Sequence, residues 1–532
     1  MTYQGREKSS VSRRARSGAL LDVNVALDEA ARLLLQGRTQ KVARILRKLL
    51  KAEPRNAEAL HLAGVARYRT GAIGKACEYI EQAIQIDPDV VDFYVTLGGI
   101  HSEAGSLEAA VASYKRAVEL DPLDVETNFA LANTFRQLSQ NVDAIHYYEA
   151  ALQYAPDNAK ILHNLGNALR EVGRVDEAIE RFQRALDKNP DFIPSYVNLG
   201  NVLVRAGRVA DAFAIYREGA RRKYAPIELD EDIIRKPVQT STAKLQHDAE
   251  QIDYLIKRGA ISNHHAEHAD IYRKLIDTAP ASRALTHSYA MPLPERRIVS
   301  QAYNRMIHLG NGSRIESAAV NPELETERIQ SEYLNSRPEI VYLDDFLTPD
   351  ALGQLRDYCL ESTIWFSHYD DGYLGAFLND GFACPLLAQI AEELPKNLPG
   401  IFGNHRLRQA WAFKYDSRLS GINLHADFAA VNVNFWITPD SAVEDADTGG
   451  LVVWDKEAPA DWDFEKFNRE PTAMRAFLAE NDAEAVRIPY RQNRAVIFNS
   501  DLFHETDQIA FRSGYENRRI NITLLYGDRD SA

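Results

Sequence analysis

The sequence predicts a multidomain protein with an N-terminal all-α repeat solenoid, a helical connector and a C-terminal β-rich domain. Over the first 225 residues a helical pattern recurs every 34 residues. This register is lost from Ile227, although helical signals continue. Beyond Glu339 the chain consists of short alternating segments separated by turn residues, which is typical of a β-sandwich or barrel. We expect boundaries at 1–22 (tail), 23–225 (solenoid), 226–336 (connector) and 337–532 (β-rich domain).

The composition indicates which kinds of partner the protein binds and in which compartment it lies. The 532 residues carry a formal charge of -14, which argues against non-specific binding to nucleic acid. Basic residues cluster within the first 16 residues, and we expect the tail, residues 1–22, to be disordered. The three cysteines form no CxxC pair, and no apolar run is long enough to span a membrane. We expect a cytoplasmic protein with neither a nucleic-acid nor a membrane partner.

The N-terminal repeat has three fixed positions besides its prolines. Prolines close the second helix of each unit: Pro54, Pro88, Pro122, Pro156 and Pro190. Small residues occupy two further phases: Gly64, Gly98, Ala132, Gly166 and Gly200, then Ala76, Ala110, Ala144, Ala178 and Ala212. Aromatic residues occupy the third: Tyr114, Tyr148, Phe182 and Tyr216. Small residues let two antiparallel helices approach, and the aromatic ring fills the groove beside them.

This pattern strongly resembles the tetratricopeptide repeat (TPR) family, with about six units counting the weaker first and last copies. Such solenoids bury a continuous core and present a concave surface, usually to a peptide or protein. The resemblance therefore implies a protein or peptide partner bound in the concave surface.

The connector contains one histidine pair that could hold a metal. His264 and His268 lie four residues apart in "NHHAEHAD". We expect a polar, exposed helix there instead, because no third ligand or apolar shell is visible nearby.

The β-rich domain contains the strongest candidate for a metal site. His425 and Asp427 open a run of β segments, and because residues i and i+2 lie on one face of a strand, we expect both to point into the barrel. His268–Asp270 and His368–Asp370 have the same spacing, but neither begins a run of strands. His504, directly after a later strand, is the candidate third ligand. Two imidazoles and one carboxylate leave three positions of an octahedral iron free.

A candidate anion partner lies on the last strand. Arg519, Asn521 and Thr523 alternate with apolar residues, giving one polar face, and Arg518 then points outward. A guanidinium inside a barrel is costly unless it meets a carboxylate, whose two oxygens match its fork.

Together these residues resemble the 2-oxoglutarate- and Fe(II)-dependent dioxygenases of the prolyl-hydroxylase-like branch. The resemblance covers roughly Glu339 to Asp528 and rests on "FLTPDAL", "YDSRLSGINLHAD", Gly449–Gly450 before "LVVWD", "FHETD", and Arg519 before "INITLLYGD". It implies a double-stranded β-helix (jelly roll) with flanking helices.

The resemblance also implies roles for individual residues. His425, Asp427 and His504 would bind iron. The cosubstrate 2-oxoglutarate would be bound by Arg519, Thr523, Tyr415 and Asn434. Trp436 departs from the family, since related hydroxylases often carry tyrosine there, so the hydrogen bonding to the cosubstrate differs in detail.

The implied reaction consumes molecular oxygen and 2-oxoglutarate and releases succinate and CO2 as the substrate is hydroxylated. The cofactors are Fe(II) and 2-oxoglutarate, with ascorbate as a further candidate. We expect a protein or peptide substrate recruited by the repeats. Two alternatives stay open: a small-molecule substrate with a regulatory partner on the repeats, and a scaffold without activity. The charged insertion 456–485 is expected to be a surface excursion or a lid.

Overall fold

The computed structural model describes residues 22–226, 231–279, 288–369, 372–403, 405–416 and 421–529. The chain divides into two compact units, Met1–Arg174 and Val175–Ala532. The predicted basic tail 1–22 lies outside the described residues except for Asp22, whose carboxylate caps the first helix.

The predicted helical repeat is confirmed by twelve helices within residues 22–226. They are α1 (Val23–Leu35), α2 (Thr39–Ala52), α3 (Ala57–Tyr68), α4 (Ile73–Ile86), α5 (Val91–Glu103), α6 (Leu107–Leu120), α7 (Val125–Gln137), α8 (Asn141–Tyr154), α9 (Ala159–Glu171), α10 (Val175–Lys188), α11 (Ile193–Arg205) and α12 (Val209–Lys223). Each repeat proline lies two residues after an even-numbered helix, as expected of a residue that cannot continue a helix. Helices α1–α9 belong to the first unit and α10–α12 to the second.

The close approach of paired helices explains the small residues of the repeat. A Cβ added at Gly98 would lie 2.8 Å from the ring of Tyr114, and one added at Gly200 would lie 2.4 Å from the ring of Tyr216. Both distances are too short for a real contact, so an alanine at Gly98 or Gly200 would force the aromatic ring of the next helix to shift.

The connector is helical, as predicted, and also contains a small sheet. Its elements are α13 (Glu231–Arg235), β1 (Gln239–Thr240), α14 (Thr242–Lys257), α15 (Ala266–Asp277), β2 (Tyr289–Ala290), α16 (Leu293–Val299) and α17 (Thr326–Asn335). Strands β1 and β2 pair antiparallel. Gly259, at φ +69°, follows the end of α14, where a left-handed residue is common.

The exposed helix predicted around the connector histidines is partly wrong. His264 lies in a 3-10 turn before α15, and only His268 is inside that helix. His268 is buried, because the apolar face of α15 packs against the connector core.

The C-terminal region contains ten strands among its described residues. Its elements are β3 (Ile340–Leu343), α18 (Pro349–Glu361), β4 (Ser367–His368), β5 (Tyr373–Phe377), α19 (Pro385–Asn397), α20 (Pro399–Phe402), β6 (Leu407–Tyr415), β7 (Val431–Trp436), β8 (Leu451–Glu457), α21 (Phe464–Arg469), α22 (Pro471–Glu480), β9 (Ala485–Ile488), β10 (Ala495–Asn499), β11 (Leu502–Thr506) and β12 (Arg519–Tyr526). Thr348 caps α18 and Pro349 is its first residue.

These strands form two antiparallel sheets. The larger has the order β3-β10-β7-β12-β6-β5-β4, and the smaller has the order β11-β8-β9. Side chains of both sheets share one buried cluster, which includes Trp436 and Phe498 from the larger sheet and Val453 and Leu502 from the smaller. The predicted jelly roll is not confirmed, because the described strands form two separate sheets rather than a closed one.

Among the described residues, no helix combines the length and the apolar character needed to cross a membrane.

Candidate metal centre

The predicted histidine and aspartate ligands lie on a loop beside β11. Residues 421–430 form no strand, and His425 makes an isolated bridge with His504. The two residues exchange backbone hydrogen bonds of 3.0 and 2.8 Å, and the amide of Asp427 donates to the Ser500 carbonyl. The expected strand placement of His425 and Asp427 is therefore wrong, and His504 lies within a strand rather than after one.

The side chains of these three residues converge. One ligand atom from each of His425, Asp427 and His504 lies within 4.8 Å of the others, and no other such group of three occurs in the described part of the chain. Nε2 of His504 is 3.4 Å from Oδ2 of Asp427, and Nε2 of His425 is 3.9 Å from Oδ1.

The imidazole rings of His425 and His504 are both held through Nδ1, whereas Nε2 is the nitrogen near Asp427. Nδ1 of His425 lies 2.8 Å from the carbonyl of Asn423, and Nδ1 of His504 lies 3.0 Å from the carbonyl of Leu502. A carbonyl oxygen only accepts, so each Nδ1 carries a proton, and in a neutral ring this leaves the lone pair of Nε2 for a metal. Fixing the tautomer in this way is common for metal-binding histidines.

The protonation states suit a cation. Burial, with His504 nearby, lowers the pKa of His425 to about 4. Burial by itself would raise the pKa of Asp427, but the adjacent His504 and His425 side chains bring it below the usual value. At neutral pH His425 is therefore a neutral imidazole and Asp427 an ionised carboxylate, which are the forms that bind metal.

A chain of amide side chains runs from Asp427 across the larger sheet. Nδ2 of Asn432 donates to Oδ2 of Asp427 at 2.6 Å, and Nδ2 of Asn434 donates to Oδ1 of Asn432 at 2.6 Å. Asn521 and Thr523 both donate to Oδ1 of Asn434, at 2.8 and 3.0 Å. The predicted cosubstrate residues Asn434 and Thr523 thus contact each other and connect to the metal-binding carboxylate.

Arg519 is buried in the interior between the sheets. Its Nε donates to the carbonyl of Gly449 at 2.6 Å and its Nη2 to that of Gly450 at 3.2 Å. A Cβ at Gly450 would lie 1.8 Å from the carbonyl oxygen of Ile488, so only glycine allows β8 and β9 to approach here. The predicted Gly449–Gly450 motif therefore holds the guanidinium through its backbone.

Buried polar atoms without a protein partner surround Arg519. They are Nη1 of Arg519, the hydroxyl of Tyr415 and Nε1 of Trp436. Tyr415 pairs opposite Arg519 on β6, and the guanidinium carbon lies 4.8 Å from its ring centroid. Groups so buried are normally hydrogen-bonded, and all three can donate. This donor set fits a carboxylate ligand.

Arg518 faces the opposite side of the sheet, as predicted, but it is buried rather than exposed. Its guanidinium lies 2.9 Å from Glu250 on α14 and 3.2 Å from Asp416. The connector helix covers this face, which the sequence pattern alone does not reveal.

Comparison with known proteins identifies the repeats. Tetratricopeptide repeat models match residues 27–91, 135–199 and 169–224, and a TPR repeat model matches residues 98–139. No curated protein matches the chain.

Several solved structures are similar over about a third of the chain. "Crystal structure of MamA protein" is 24% identical at a TM-score of 0.30, covering 32% of this chain and 92% of its own. "YrrB: a TPR protein with an unusual peptide-binding site" is 21% identical at 0.30, covering 33% and 90%. "MamA 41-end from Desulfovibrio magneticus RS-1" is 20% identical at 0.30, covering 31% and 94%. The family matches show that the chain contains tetratricopeptide repeats between residues 27 and 224.

Proposed function

We propose that this protein is a 2-oxoglutarate- and Fe(II)-dependent dioxygenase that hydroxylates a protein or peptide recruited by its repeats. The observation that carries the proposal is the convergence of His425, Asp427 and His504 in an interior that also holds the buried Arg519. Two imidazoles and one carboxylate with positions left open are the usual ligand set of non-haem Fe(II) oxygenases.

The three converging side chains would hold the iron. Their Nε2 atoms and carboxylate oxygens face one another, while the Nδ1 contacts fix both rings. Asn432 fixes the carboxylate of Asp427 by donating to Oδ2. When bound, Fe(II) supplies the oxidative chemistry in which O2, 2-oxoglutarate and a C–H group become succinate, CO2 and an alcohol.

Arg519 would bind the carboxylate of 2-oxoglutarate that lies farther from the metal. Its Nη1 has no protein partner, and its other two nitrogens are held by backbone carbonyls. The Tyr415 hydroxyl, also without a partner, can donate to the same carboxylate. A preorganised guanidinium needs little rearrangement on binding, which favours affinity. Thr523, on the same strand as Arg519, is hydrogen-bonded to Asn434. Asn434 belongs to the chain of amide side chains that leads to Asp427.

The apolar residues between the sheets exclude water from this interior. Trp436, Phe498 and Val453 are fully buried around the polar groups. Exclusion of water strengthens the attraction between Arg519 and an anion, because the local dielectric constant is low.

Succinate release tests the proposed chemistry. The full chain, loaded anaerobically with Fe(II) and 2-oxoglutarate and then exposed to oxygen, is expected to release succinate even without a substrate, slowly. His504→Ala should abolish this release. His264→Ala is the matched control, because it removes an exposed histidine from the other candidate pair, and it should leave the release unchanged. Equal release from wild type and His504→Ala would refute the assignment of the site.

The repeats support a macromolecular substrate, since TPR solenoids bind peptides or proteins. The full chain carrying His504→Ala should retain such a substrate without converting it. Proteins captured by this variant are then treated with the wild-type enzyme, and a mass increase of one oxygen atom identifies the product. Conversion of a small molecule with no oxygen added to any captured protein would favour the small-molecule alternative.

A TPR scaffold without activity is the second candidate. It is favoured by the observation that the matched family models all lie between residues 27 and 224. A chain that captures a partner but binds no metal at His425, Asp427 and His504 would support this candidate over the enzyme.

A further inference from the structure

The insertion between β8 and β9 contacts the loop that carries two of the candidate metal ligands. It contains α21 and α22 and replaces the short turn that would otherwise join these paired strands. The sequence left open whether this segment is a surface excursion or a lid. Its contacts indicate a different role.

Ala426, the residue between His425 and Asp427, has both of its backbone polar groups bonded to this insertion. Its amide donates to the carbonyl of Phe467 at 3.0 Å, and its carbonyl accepts from Nδ2 of Asn468 at 3.2 Å. Ala426 is fully buried, so water cannot readily replace either bond. The neighbouring ligands bond to a different element, because the amides of His425 and Asp427 donate to carbonyls of 500–504.

Apolar packing reinforces these bonds. Leu424 and Ala426 from the loop form one buried cluster with Phe467, Met474 and Leu478 from the insertion. Phe503, next to the ligand His504, belongs to the same cluster. Both segments that supply metal ligands therefore pack against one side of the insertion.

An ion pair joins the insertion to the strand of the third ligand. Nη2 of Arg475 lies 2.6 Å from Oε2 of Glu505, the residue after His504. Arg475 is largely exposed, so this pair by itself contributes little. The buried contacts of Ala426 therefore hold the insertion to the ligand loop more firmly than this ion pair does.

We propose that residues 458–480 are a positioning element for the metal centre and that Asn468 is its key positioning residue. By holding the backbone of Ala426, Asn468 and Phe467 add to the bonds that His425 and Asp427 make with residues 500–504, and so fix the relative placement of the two ligands. This inference rests on the proposed function and adds to it a residue that contacts neither metal nor cosubstrate.

Asn468→Ala tests the proposal, with Asn481→Ala as its matched control. Both asparagines belong to the same insertion and donate from Nδ2 to a backbone carbonyl, but Asn481 bonds to Phe477, away from the ligands. Co(II) is titrated anaerobically into the full chain in the absence of 2-oxoglutarate. Loss of a residue that orients metal ligands typically weakens metal affinity about 10- to 100-fold, which is the expected result for Asn468→Ala. Asn481→Ala should bind Co(II) as the wild type does.

Hydrogen exchange gives a second readout that needs no metal. The amides of residues 424–427 should exchange faster in Asn468→Ala than in wild type or Asn481→Ala, while the strands of the larger sheet keep their protection. Asn468→Leu, which keeps a branched side chain but donates no hydrogen bond, should behave as Asn468→Ala.

The outcomes separate this inference from the proposed function. Unchanged exchange and Co(II) affinity in Asn468→Ala would overturn the positioning role while leaving the metal site intact. A wild-type chain that binds no Co(II) would overturn the proposed function, and with it the role of Asn468 in metal binding.

Discussion

Substituting lysine for Arg519 tests the predicted binding of 2-oxoglutarate. In the free protein two guanidinium nitrogens are occupied by the carbonyls of Gly449 and Gly450, and only Nη1 is available to a ligand. Lysine keeps the charge but has a single nitrogen, so it cannot hold both carbonyls and a carboxylate in the same geometry. Loss of one charge-assisted hydrogen bond costs about 2 kcal/mol, which corresponds to an approximately 30-fold weaker Kd.

Calorimetric titration of 2-oxoglutarate into the Co(II)-loaded full chain under anaerobic conditions measures this change. Arg518→Lys is the matched control, because Arg518 is an adjacent buried arginine on the opposite face, paired with Glu250 and Asp416. It should leave the 2-oxoglutarate affinity unchanged. Wild-type affinity in Arg519→Lys, or an equal loss in Arg518→Lys, would refute the assignment of Arg519.

Two further predictions concern the stability of the repeats. Gly200→Ala should lower the free energy of unfolding by about 1–3 kcal/mol, since the new Cβ meets the Tyr216 ring at 2.4 Å. Gly74→Ala, where a Cβ would have no atom within 4 Å, should not destabilise the protein. Urea unfolding of both variants measures the difference. Burial lowers the pKa of His61 from 6.5 to about 4. The unfolded chain therefore binds the proton more readily, so this contribution to stability is complete above pH 6.5 and is lost towards pH 4. About 2 kcal/mol should be lost between pH 7.5 and pH 5. His61→Gln should flatten this dependence, and an equally steep profile in that variant would contradict the reasoning.

The helical repeat was predictable because its determinants are local. Each proline ends a helix whatever the rest of the chain does, and glycine at Gly98 and Gly200 avoids a clash with an aromatic residue of the next helix. The β-strands were predictable for a similar reason, since alternation reports which face is buried. The division of the strands into two separate sheets was not predictable, because strand order depends on contacts between distant segments.

The hairpin of β4 and β5 was missed. His368 belongs to β4 and Tyr373 begins β5, in a stretch whose turn residues indicated a loop. Strand β5 pairs with β6, a partner that lies far away in the sequence. Tertiary pairing, rather than local preference, therefore determines this strand.

For the candidate site, residue types were easier to predict than their environment. The side chains of His425, Asp427 and His504 lie close together, with His425 and Asp427 on a loop. The amide chain through Asn432 was only partly foreseen, from the alternation of Asn432 and Asn434. Nothing in the sequence indicated the contacts of Ala426 with the insertion. They involve the backbone of Ala426 and groups distant from it in sequence, and no residue type marks them.

Metal binding by the full chain tests the central claim most directly. Anaerobic titration with Fe(II), with the bound metal quantified after removal of the free ion, should give one tightly bound ion per chain. His425→Ala should lose this ion and His264→Ala should retain it. A wild-type chain that binds no Fe(II), or a His425→Ala chain that still binds one ion, would contradict the account.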